Sequence, residues 1–314
     1  HRKLAGMPRE EALSYAKEIV INHGVGCTNL HNLLKKTVDE EKVRNSNTDY
    51  GLVTTAFPSF KGSYLFIDEI PQERLHEYLL ASASCFPATH WGEIDGQKYI
   101  DGGYCDNMPV KMALEKDATN IIAVDLEAVG LLDKGSLKEA ASIDGEFKII
   151  KSPWGLGNFL FFSPKNSNYI MNIGYLDTMK MFNRYDGCSY TFKKNTVPPR
   201  LISRMDNAAK IFWINPLEIY DQNSFDTALR KNIEVFKAST AIPSVQHMES
   251  LKKSTLIGAL TALKNRIDRQ SLVLIMASNL AAKDSESIFL SRQVFSLLHD
   301  EIMAASYIYS KNFF

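Results

Sequence analysis

The sequence has little cysteine, and its cysteines form no pattern that indicates a metal site or a disulfide framework. The four residues are Cys27, Cys85, Cys105 and Cys188. None forms a C-x-x-C pair, and their spacing suits neither a zinc site nor a small disulfide-stapled domain. An N-x-S/T glycosylation sequence is also absent. These absences argue against a secreted disulfide protein and a zinc module, and we expect a reducing, cytoplasmic environment.

The sequence also has no excess of positive or negative charge and no long apolar run. Lysine plus arginine and aspartate plus glutamate number 36 each, so the net charge is zero with histidine neutral. Balanced charge gives no indication of nucleic-acid binding. A bilayer-spanning helix needs about 20 apolar residues, and the most apolar stretch, 272–282, is interrupted by Ser278 and Asn279. The chain begins at His1 without a signal-peptide pattern, and we expect it to be part of a longer product.

Strand and helix patterns alternate over the first two thirds of the chain. This alternation predicts an α/β layered fold with a central, mostly parallel sheet. Beyond Pro198-Pro199 strand signals fade except at 210–214, which predicts a boundary between an α/β region, 1–198, and a mainly helical region, 199–314. Strands are predicted at 50–55, 63–67, 98–100 and 121–125, the last covered on both faces because its apolar run is continuous. Helices are predicted at 7–24, 29–43, 71–84, 109–117, 225–238, 245–266, 270–282 and 285–310.

An acidic turn is the sequence feature that points most directly to chemistry. A short strand ends at Asp101, and Gly102-Gly103 then allow the backbone to approach another element closely. Ligands gather at the carboxyl ends of strands in α/β folds, so Asp101 is a candidate catalytic carboxylate. On the tripeptide alone an ordinary turn is the simpler interpretation. Of the residues that follow, Asp106 is expected to be a solvated loop residue or helix-start charge, Asn107 a helix cap and Pro109 a first-turn residue.

Several blocks in order resemble the C-terminal half of a patatin-like phospholipase domain. They are 51–55 (GLVTT), 81–87 (ASASCFP), 99–103 (YIDGG), 107–110 (NMPV), 121–125 (IIAVD) and 174–178 (GYLDT). The resemblance covers roughly residues 25–195 and not the helical region. It implies a serine hydrolase that acts on lipid acyl esters through a Ser–Asp dyad, with Asp101 as the carboxylate. It implies neither a metal nor an organic cofactor.

The sequence departs from that family in two places. No G-x-S-x-G serine motif occurs, and the nearest sequence, Gly187-Cys188-Ser189, lies downstream of Asp101 and fails at the fifth position. The single Gly-Gly pair is Gly102-Gly103, so a separate glycine-rich oxyanion loop is also absent. Three explanations stay open: a fragment of a complete enzyme, a nucleophile on a separate N-terminal chain, or a truncated, inactive relative. We favour the first two because a sheet without its first strands leaves edges exposed.

The remaining candidates carry weaker signals. A non-catalytic lipid-binding or assembly subunit that has lost the nucleophile is the alternative function. His90-Trp91 follows the 81–87 block. These residues could border the site, but we favour the interpretation that His90 is a surface-loop histidine. The aromatic run 154–162 is favoured as core or domain interface over a lipid-facing surface. A peripheral membrane contact is the alternative to a solvated face for the basic residues Lys252, Lys253, Lys264, Arg266 and Arg269.

Overall fold

The computed structural model of the protein describes residues 26–128, 130–157, 163–242, 267–280 and 292–314. The predicted helices at 7–24 and 245–266 lie outside these residues, as do residues 158–162 of the aromatic run. By packing, the chain divides into two compact units: His1–Lys151 with Asn158–Phe161, and Ser152–Gly157 with Phe162–Phe314. Residues on both sides of Pro198 belong to the second unit, and the boundary at 198/199 stays a prediction.

The first unit mixes short helices with two sheets, which confirms the predicted α/β class. Single 3₁₀ turns lie at Ile67–Glu69 and Gly102–Tyr104. The helices are α1 (Thr28–Thr37), α2 (Glu40–Arg44), α3 (Leu75–Ser82), α4 (Val110–Leu114) and α5 (Lys134–Ala140). The strands are β1 (Gly51–Phe57), β2 (Lys61–Phe66), β3 (Gly92–Ile94), β4 (Gln97–Asp101), β5 (Asn120–Asp125) and β6 (Glu146–Lys151).

The larger sheet has the strand order β2-β1-β4-β3, and every pairing in it is antiparallel, whereas the sequence predicts a mostly parallel central sheet. Short connections account for the β1–β2 and β3–β4 pairings, since antiparallel strands can be joined by a tight turn whereas parallel strands need a long crossover. Asp95 and Gly96 join β3 to β4 and both have positive φ, 52° and 76°. That is the backbone conformation of a two-residue hairpin turn. Leu52 of β1 packs with Ile70 and Leu75 in a small core on one face of this sheet.

Parallel pairing occurs between β5 and β6, which are joined through α5. One face of this pair is packed: Ile121 and Ala123 are each 6% exposed and belong to a core that α4 and α5 complete. The other face is open, because Ile122 and Val124 are each 52% exposed. The prediction that the 121–125 strand is covered on both faces is therefore wrong.

The second unit is mainly helical and has its own aromatic-rich core, which agrees with the predicted helical C-terminal region. A small sheet of order β7-β8-β9 pairs β7 with β8 antiparallel and β8 with β9 parallel. None of the described helices combines the length and apolar character needed to cross a membrane. The elements are α6 (Pro164–Met181), β7 (Tyr185–Asp186), β8 (Thr191–Lys193), α7 (Pro199–Ile211), β9 (Ile219–Tyr220), α8 (Gln222–Ser239), α9 (Arg269–Leu280), α10 (Arg292–Leu297) and α11 (His299–Ser310).

Two predicted elements of the second unit need correction. The predicted strand at 210–214 is absent, because α7 continues to Ile211 and the Ile214 N–H then donates to the Ala209 carbonyl at 2.9 Å. Met205, Ala208 and Ala209 are buried with helical spacing, and this periodicity determines the structure of the segment. The described part of the predicted 285–310 helix is divided into α10 and α11 at Leu298.

Candidate active site around Asp101

Asp101 is the last residue of β4, at the strand end where the sequence predicts it, and lies opposite Thr54 of β1. Its backbone N–H donates to the Ser84 carbonyl at 2.8 Å, and its own carbonyl accepts from Thr55 Oγ1 at 2.9 Å. These bonds attach the end of β4 to β1 on one side and to the segment after α3 on the other. Asp101 therefore sits on a fixed backbone rather than on a free loop.

The Asp101 carboxylate has a sheltered environment with one hydrogen bond from the chain. Oδ1 accepts the backbone N–H of Gly103 at 2.7 Å. Burial raises the pKa of Asp101, and the Gly103 hydrogen bond opposes this shift without cancelling it. Among the described residues, no hydroxyl or imidazole donates to this carboxylate. A carboxylate with a raised pKa is a better proton acceptor than an exposed aspartate, and the second oxygen of Asp101 accepts no hydrogen bond from the described residues.

The two glycines after Asp101 are needed because of close packing. A Cβ at position 102 would lie 2.3 Å from the Val53 carbonyl oxygen, so only glycine lets this turn approach β1. A Cβ at position 103 would lie 2.8 Å from Asn107 Oδ1 and 3.1 Å from Asp101 Oδ1. Gly103 therefore leaves room for its own N–H to reach the carboxylate, and the pair of glycines fixes where Asp101 points.

Asp106 is buried, which corrects the prediction of a solvated residue. It is 2% exposed, and its Oδ2 accepts the Tyr64 hydroxyl at 3.2 Å while Oδ1 accepts the Met108 N–H at 3.3 Å. Burial and the negative charge of Asp106 raise the pKa of Tyr64 well above its ordinary range. Asp106 thus links the loop after β4 to β2, a structural role that the local sequence does not indicate.

Asn107 does not cap the helix that follows it, contrary to the prediction. The cap position of α4 is occupied by Pro109, which offers no side-chain hydrogen bond. The Asn107 backbone N–H donates to the Leu131 carbonyl at 2.7 Å, and its Nδ2 lies 3.3 Å from the Ala128 carbonyl. Asn107 therefore ties the acidic turn to the segment after β5.

Cys85 and Tyr104 are the neighbours whose ionisation responds to Asp101. Burial raises the pKa of the Cys85 thiol, and the Asp101 charge raises it further. Burial likewise raises the pKa of Tyr104 to about 12, with contributions from Cys85 and Asp101. Both groups stay protonated at neutral pH, so Cys85 is unsuited to act as a thiolate nucleophile beside Asp101.

Thr54 is a neighbour of Asp101 that the sequence does not indicate. Its side chain is 0% exposed, and its Oγ1 has no hydrogen-bond partner in the described structure. Directly opposite residues of an antiparallel pair place their side chains on the same face of the sheet. Thr54 and Asp101 are 47 positions apart in the sequence, so the local sequence of β1 does not reveal that they pair.

Trp91 lies in an aromatic cluster, which we define as Phe57, Phe60, Phe86, Trp91 and Tyr104, and His90 lies beside this cluster. The His90 ring meets the Trp91 ring edge-on at 6.1 Å. Within the described residues no carboxylate bonds to the His90 ring, so the geometry provides no Ser–His–Asp arrangement. The Tyr104 hydroxyl donates to the Phe86 carbonyl, which connects the cluster to the turn that carries Asp101.

Ser189 is a loop serine of the second unit, as expected. It is 6% exposed, and its N–H donates to Asp206 Oδ2 at 2.7 Å. Its carbonyl accepts the Trp154 Nε1–H at 3.0 Å, and the Trp154 ring packs edge-on against Tyr190 at 5.2 Å. Trp154 is thus a core contact, in agreement with the favoured interpretation of the described part of the 154–162 run.

Of the five basic residues considered for a membrane face, Arg269 alone lies in the described part of the chain. Its Nε donates to Glu301 Oε1 at 2.8 Å, and its Nη2 lies 3.8 Å from Asp300 Oδ2. Arg269 is paired with acidic side chains of α11, which favours the solvated-face interpretation for this residue.

Comparison with known proteins supports the family resemblance for the part of the chain that contains Asp101. The family model described as patatin-like phospholipase matches residues 21–114. The matched segment contains the four strands of the larger sheet, the acidic turn and α4. Over these residues the chain is similar to that family. No curated protein and no solved structure gives a significant match to the chain.

Proposed function

We propose that the chain is the aspartate-bearing part of a patatin-like serine acyl hydrolase, a phospholipase or esterase that cleaves lipid acyl esters. Asp101 is the general base in this proposal, and the nucleophilic serine comes from outside the 314 residues. The observation that carries the proposal is the Asp101 carboxylate itself: sheltered, with a raised pKa, and fixed at the strand end within the family match.

In the proposed reaction the serine hydroxyl gives its proton to Asp101 while the serine oxygen attacks the ester carbonyl carbon. When the tetrahedral intermediate collapses, the bond to the alcohol breaks and Asp101 returns the proton to the leaving oxygen. An acyl-serine remains. A water molecule then attacks the acyl carbon and gives a proton to Asp101. The bond between the acyl carbon and the serine oxygen breaks, Asp101 returns the proton to the serine oxygen, and the fatty acid leaves. Oxyanion donors for the intermediate also come from outside this sequence, because its single Gly-Gly pair is used by the acidic turn.

Labelling with a fluorophosphonate tests the proposal, because this reagent reacts with activated serines. We expect the 314-residue chain alone to take no label and the complete gene product that contains it to be labelled at one serine outside residues 1–314. Asp101→Asn in the complete product should slow labelling by about 10²-fold or more, the usual effect of losing a general base. Asp106→Asn is the matched control, since it removes a carboxylate five residues away that bonds to Tyr64. Absence of label on the complete product, or equal slowing by both variants, contradicts the proposal.

A non-catalytic lipid-binding or assembly subunit is the second candidate. The observation in its favour is that no hydroxyl of the described chain meets the Asp101 carboxylate. The two candidates differ in turnover by the complete gene product. The hydrolase cleaves an acyl ester and loses this activity in Asp101→Asn, whereas a non-catalytic subunit gives no hydrolysis with either aspartate or asparagine at position 101.

A further inference from the structure

The aromatic cluster beside Asp101 is a continuous set of ring contacts. Phe57 is at its centre, with ring centroids 5.9 Å from Phe60, 5.2 Å from Phe86 and 6.3 Å from Trp91. Phe86 also contacts Trp91 at 5.5 Å, and Phe60 contacts Tyr104 at 6.4 Å. Three separate segments contribute to the cluster: the end of β1 with the turn that follows it, the α3–β3 loop and the 3₁₀ turn after β4.

Hydrogen bonds hold these segments in place. The Phe60 N–H donates to the Ala56 carbonyl at 2.8 Å, and Gln97 Nε2 donates to the Phe57 carbonyl at 3.1 Å. The Thr89 N–H donates to the Cys85 carbonyl at 3.1 Å, within the loop that carries Phe86 and Trp91. The cluster is therefore a built surface feature and not a set of freely moving side chains.

Folding alone does not explain the choice of phenylalanine at position 60. Phe60 has a φ of 56°, a left-handed conformation that favours glycine or asparagine and is unusual for a bulky side chain. The side chain is also 53% exposed, so little apolar burial compensates for this conformation. Phe60 also contacts Phe57 and, through Tyr104, the acidic turn. A large apolar ring that is strained, exposed and part of such a cluster indicates a surface that acts on something outside the chain.

The charge at the cluster is compatible with a lipid surface. Lys98 Nζ lies 4.0 Å above the Trp91 ring centroid, and the exposed Lys61 follows Phe60 directly in the chain. One acidic residue, Glu93, lies opposite Lys98 in the register of β3 and β4. Aromatic rings with an apolar body and a polar edge, accompanied by lysines, are typical of residues at the membrane–water interface. Lysine ammonium groups would meet lipid phosphates, while the rings enter the region below them.

We propose that the aromatic cluster is the surface by which the protein docks on a phospholipid bilayer, with Phe60 and Trp91 entering the interface. This inference rests on the proposed function in one respect: docking here brings lipid esters to the Asp101 turn, to which Tyr104 of the cluster belongs. The occupant to which we commit is a bilayer surface. A protein partner on the same rings is the outcome that the test below separates from it.

Binding to vesicles tests the inference without requiring catalysis. The 314-residue chain is sedimented with vesicles of phosphatidylcholine and phosphatidylglycerol. Phe60→Asn should weaken binding on the order of tenfold, since a partly exposed aromatic ring contributes part of the burial energy of a phenylalanine. Asparagine tolerates the left-handed conformation, so this variant should keep its fold. Trp213→Asn is the matched control, because Trp213 is also exposed, 77%, and also has positive φ, 53°, but lies in the second unit.

Fluorescence of Trp91 gives a second readout. With Trp154→Phe and Trp213→Phe, Trp91 is the one remaining tryptophan, and brominated lipids in the vesicles should quench it. Failure of the unaltered chain to bind vesicles, equal loss in Phe60→Asn and Trp213→Asn, or an unquenched Trp91 overturns the inference. A change in self-association or partner capture in Phe60→Asn without a change in vesicle binding assigns the surface to a protein and also overturns it.

Vesicle binding and ester hydrolysis test the docking surface and the proposed hydrolase separately. Asp101→Asn should bind vesicles as the unaltered chain does. Normal vesicle binding together with an absence of hydrolysis in the complete product would leave docking standing while the proposed hydrolase fails.

Discussion

Asp101 and Asp106 are five residues apart, and their carboxylates differ in how many hydrogen-bond partners they have. Asp106 is almost fully buried and has its oxygens engaged by Tyr64 and Met108. Asp101 is sheltered, and within the part of the chain that the structure describes its carboxylate meets a single donor, the Gly103 N–H. The difference lies in partners distant along the chain, because Tyr64 belongs to β2. A satisfied carboxylate stabilises a loop, whereas one with an oxygen free can accept a proton.

The raised pKa of Asp101 predicts a pH-dependent effect on stability. The folded state holds the Asp101 proton more tightly than the unfolded state does, so the contribution of this group to stability is fully present below the ordinary pKa of 3.8 and is lost as pH rises through the folded pKa. Asp101→Asn removes the buried charge, so we expect this variant to be more stable than the natural chain at pH 7. The difference should shrink as pH falls toward 3.8.

Denaturant unfolding of the first unit at pH 7 and pH 4, followed by fluorescence, measures this difference. Asp106→Asn serves as the comparison and should be less stable than the natural chain at pH 7, because it weakens the bond to Tyr64. An Asp101→Asn variant that is destabilised at pH 7 would contradict the assignment of a desolvated, uncompensated carboxylate.

At the scale of elements, Glu40 connects α2 to the start of α3. Its carboxylate accepts from Arg44 Nε at 2.8 Å, from the Glu73 N–H at 2.9 Å and from the Leu75 N–H at 3.1 Å. Arg44 in turn donates to the Ile70 carbonyl at 2.8 Å. Burial acts to raise the pKa of Glu40, but the hydrogen bonds from Arg44, Leu75 and Glu73 outweigh it and the pKa is lowered.

Glu40→Gln should therefore destabilise the first unit by about 2 kcal/mol at pH 7, since it leaves a largely buried Arg44 without its counter-charge. Glu41→Gln, one residue along and exposed, is the control and should change stability by less than about 0.5 kcal/mol. The contribution of Glu40 is present above its ordinary pKa and is lost as pH falls through its lowered folded pKa. Denaturation midpoints at pH 7 and pH 3 check both statements, and equal effects of the two variants would contradict them.

The open face of the β5–β6 pair leads to a second prediction at this scale. Ile121→Ala should cost about 2–4 kcal/mol because its side chain is in the core formed with α4 and α5. Ile122→Ala, at the adjacent position on the exposed face, should change stability by less than about 0.5 kcal/mol. Equilibrium unfolding of both variants measures the contrast. A large loss in Ile122→Ala would show that this face is covered.

The sequence predicts the local elements of this molecule better than their long-range pairing. The β1–β2 hairpin, β4 ending at Asp101, and the helix at 225–238 are found because their signals are local: alternation, turn residues and helical periodicity. Burial of Asp106 depends on Tyr64, 42 residues away. The coverage of β5 depends on which neighbours pack on it. The apolar residues at 210–214 have the composition of a strand. The buried residues of α7 that precede them recur with helical spacing, and the helix continues into this segment.

For the site, the sequence predicts Asp101 and its glycines because their blocks follow the family order. It does not predict the roles of Thr54, Asn107 or the aromatic cluster. Thr54 faces Asp101 through strand register, and Asn107 bonds across to the segment after β5. The rings of the cluster come from three segments, and only the folded chain brings them together.

For the whole molecule, the proposed function requires Asp101 to act as the base of an acyl hydrolase whose serine lies outside this sequence. The most direct measurement is kcat/KM of the complete gene product on a short-chain acyl ester, with Asp101→Asn compared with Asp106→Asn at matched folded fraction. We predict a loss of about 10²–10⁴-fold for Asp101→Asn and a much smaller loss for Asp106→Asn. Hydrolysis by Asp101→Asn at the rate of the unaltered protein would contradict the account.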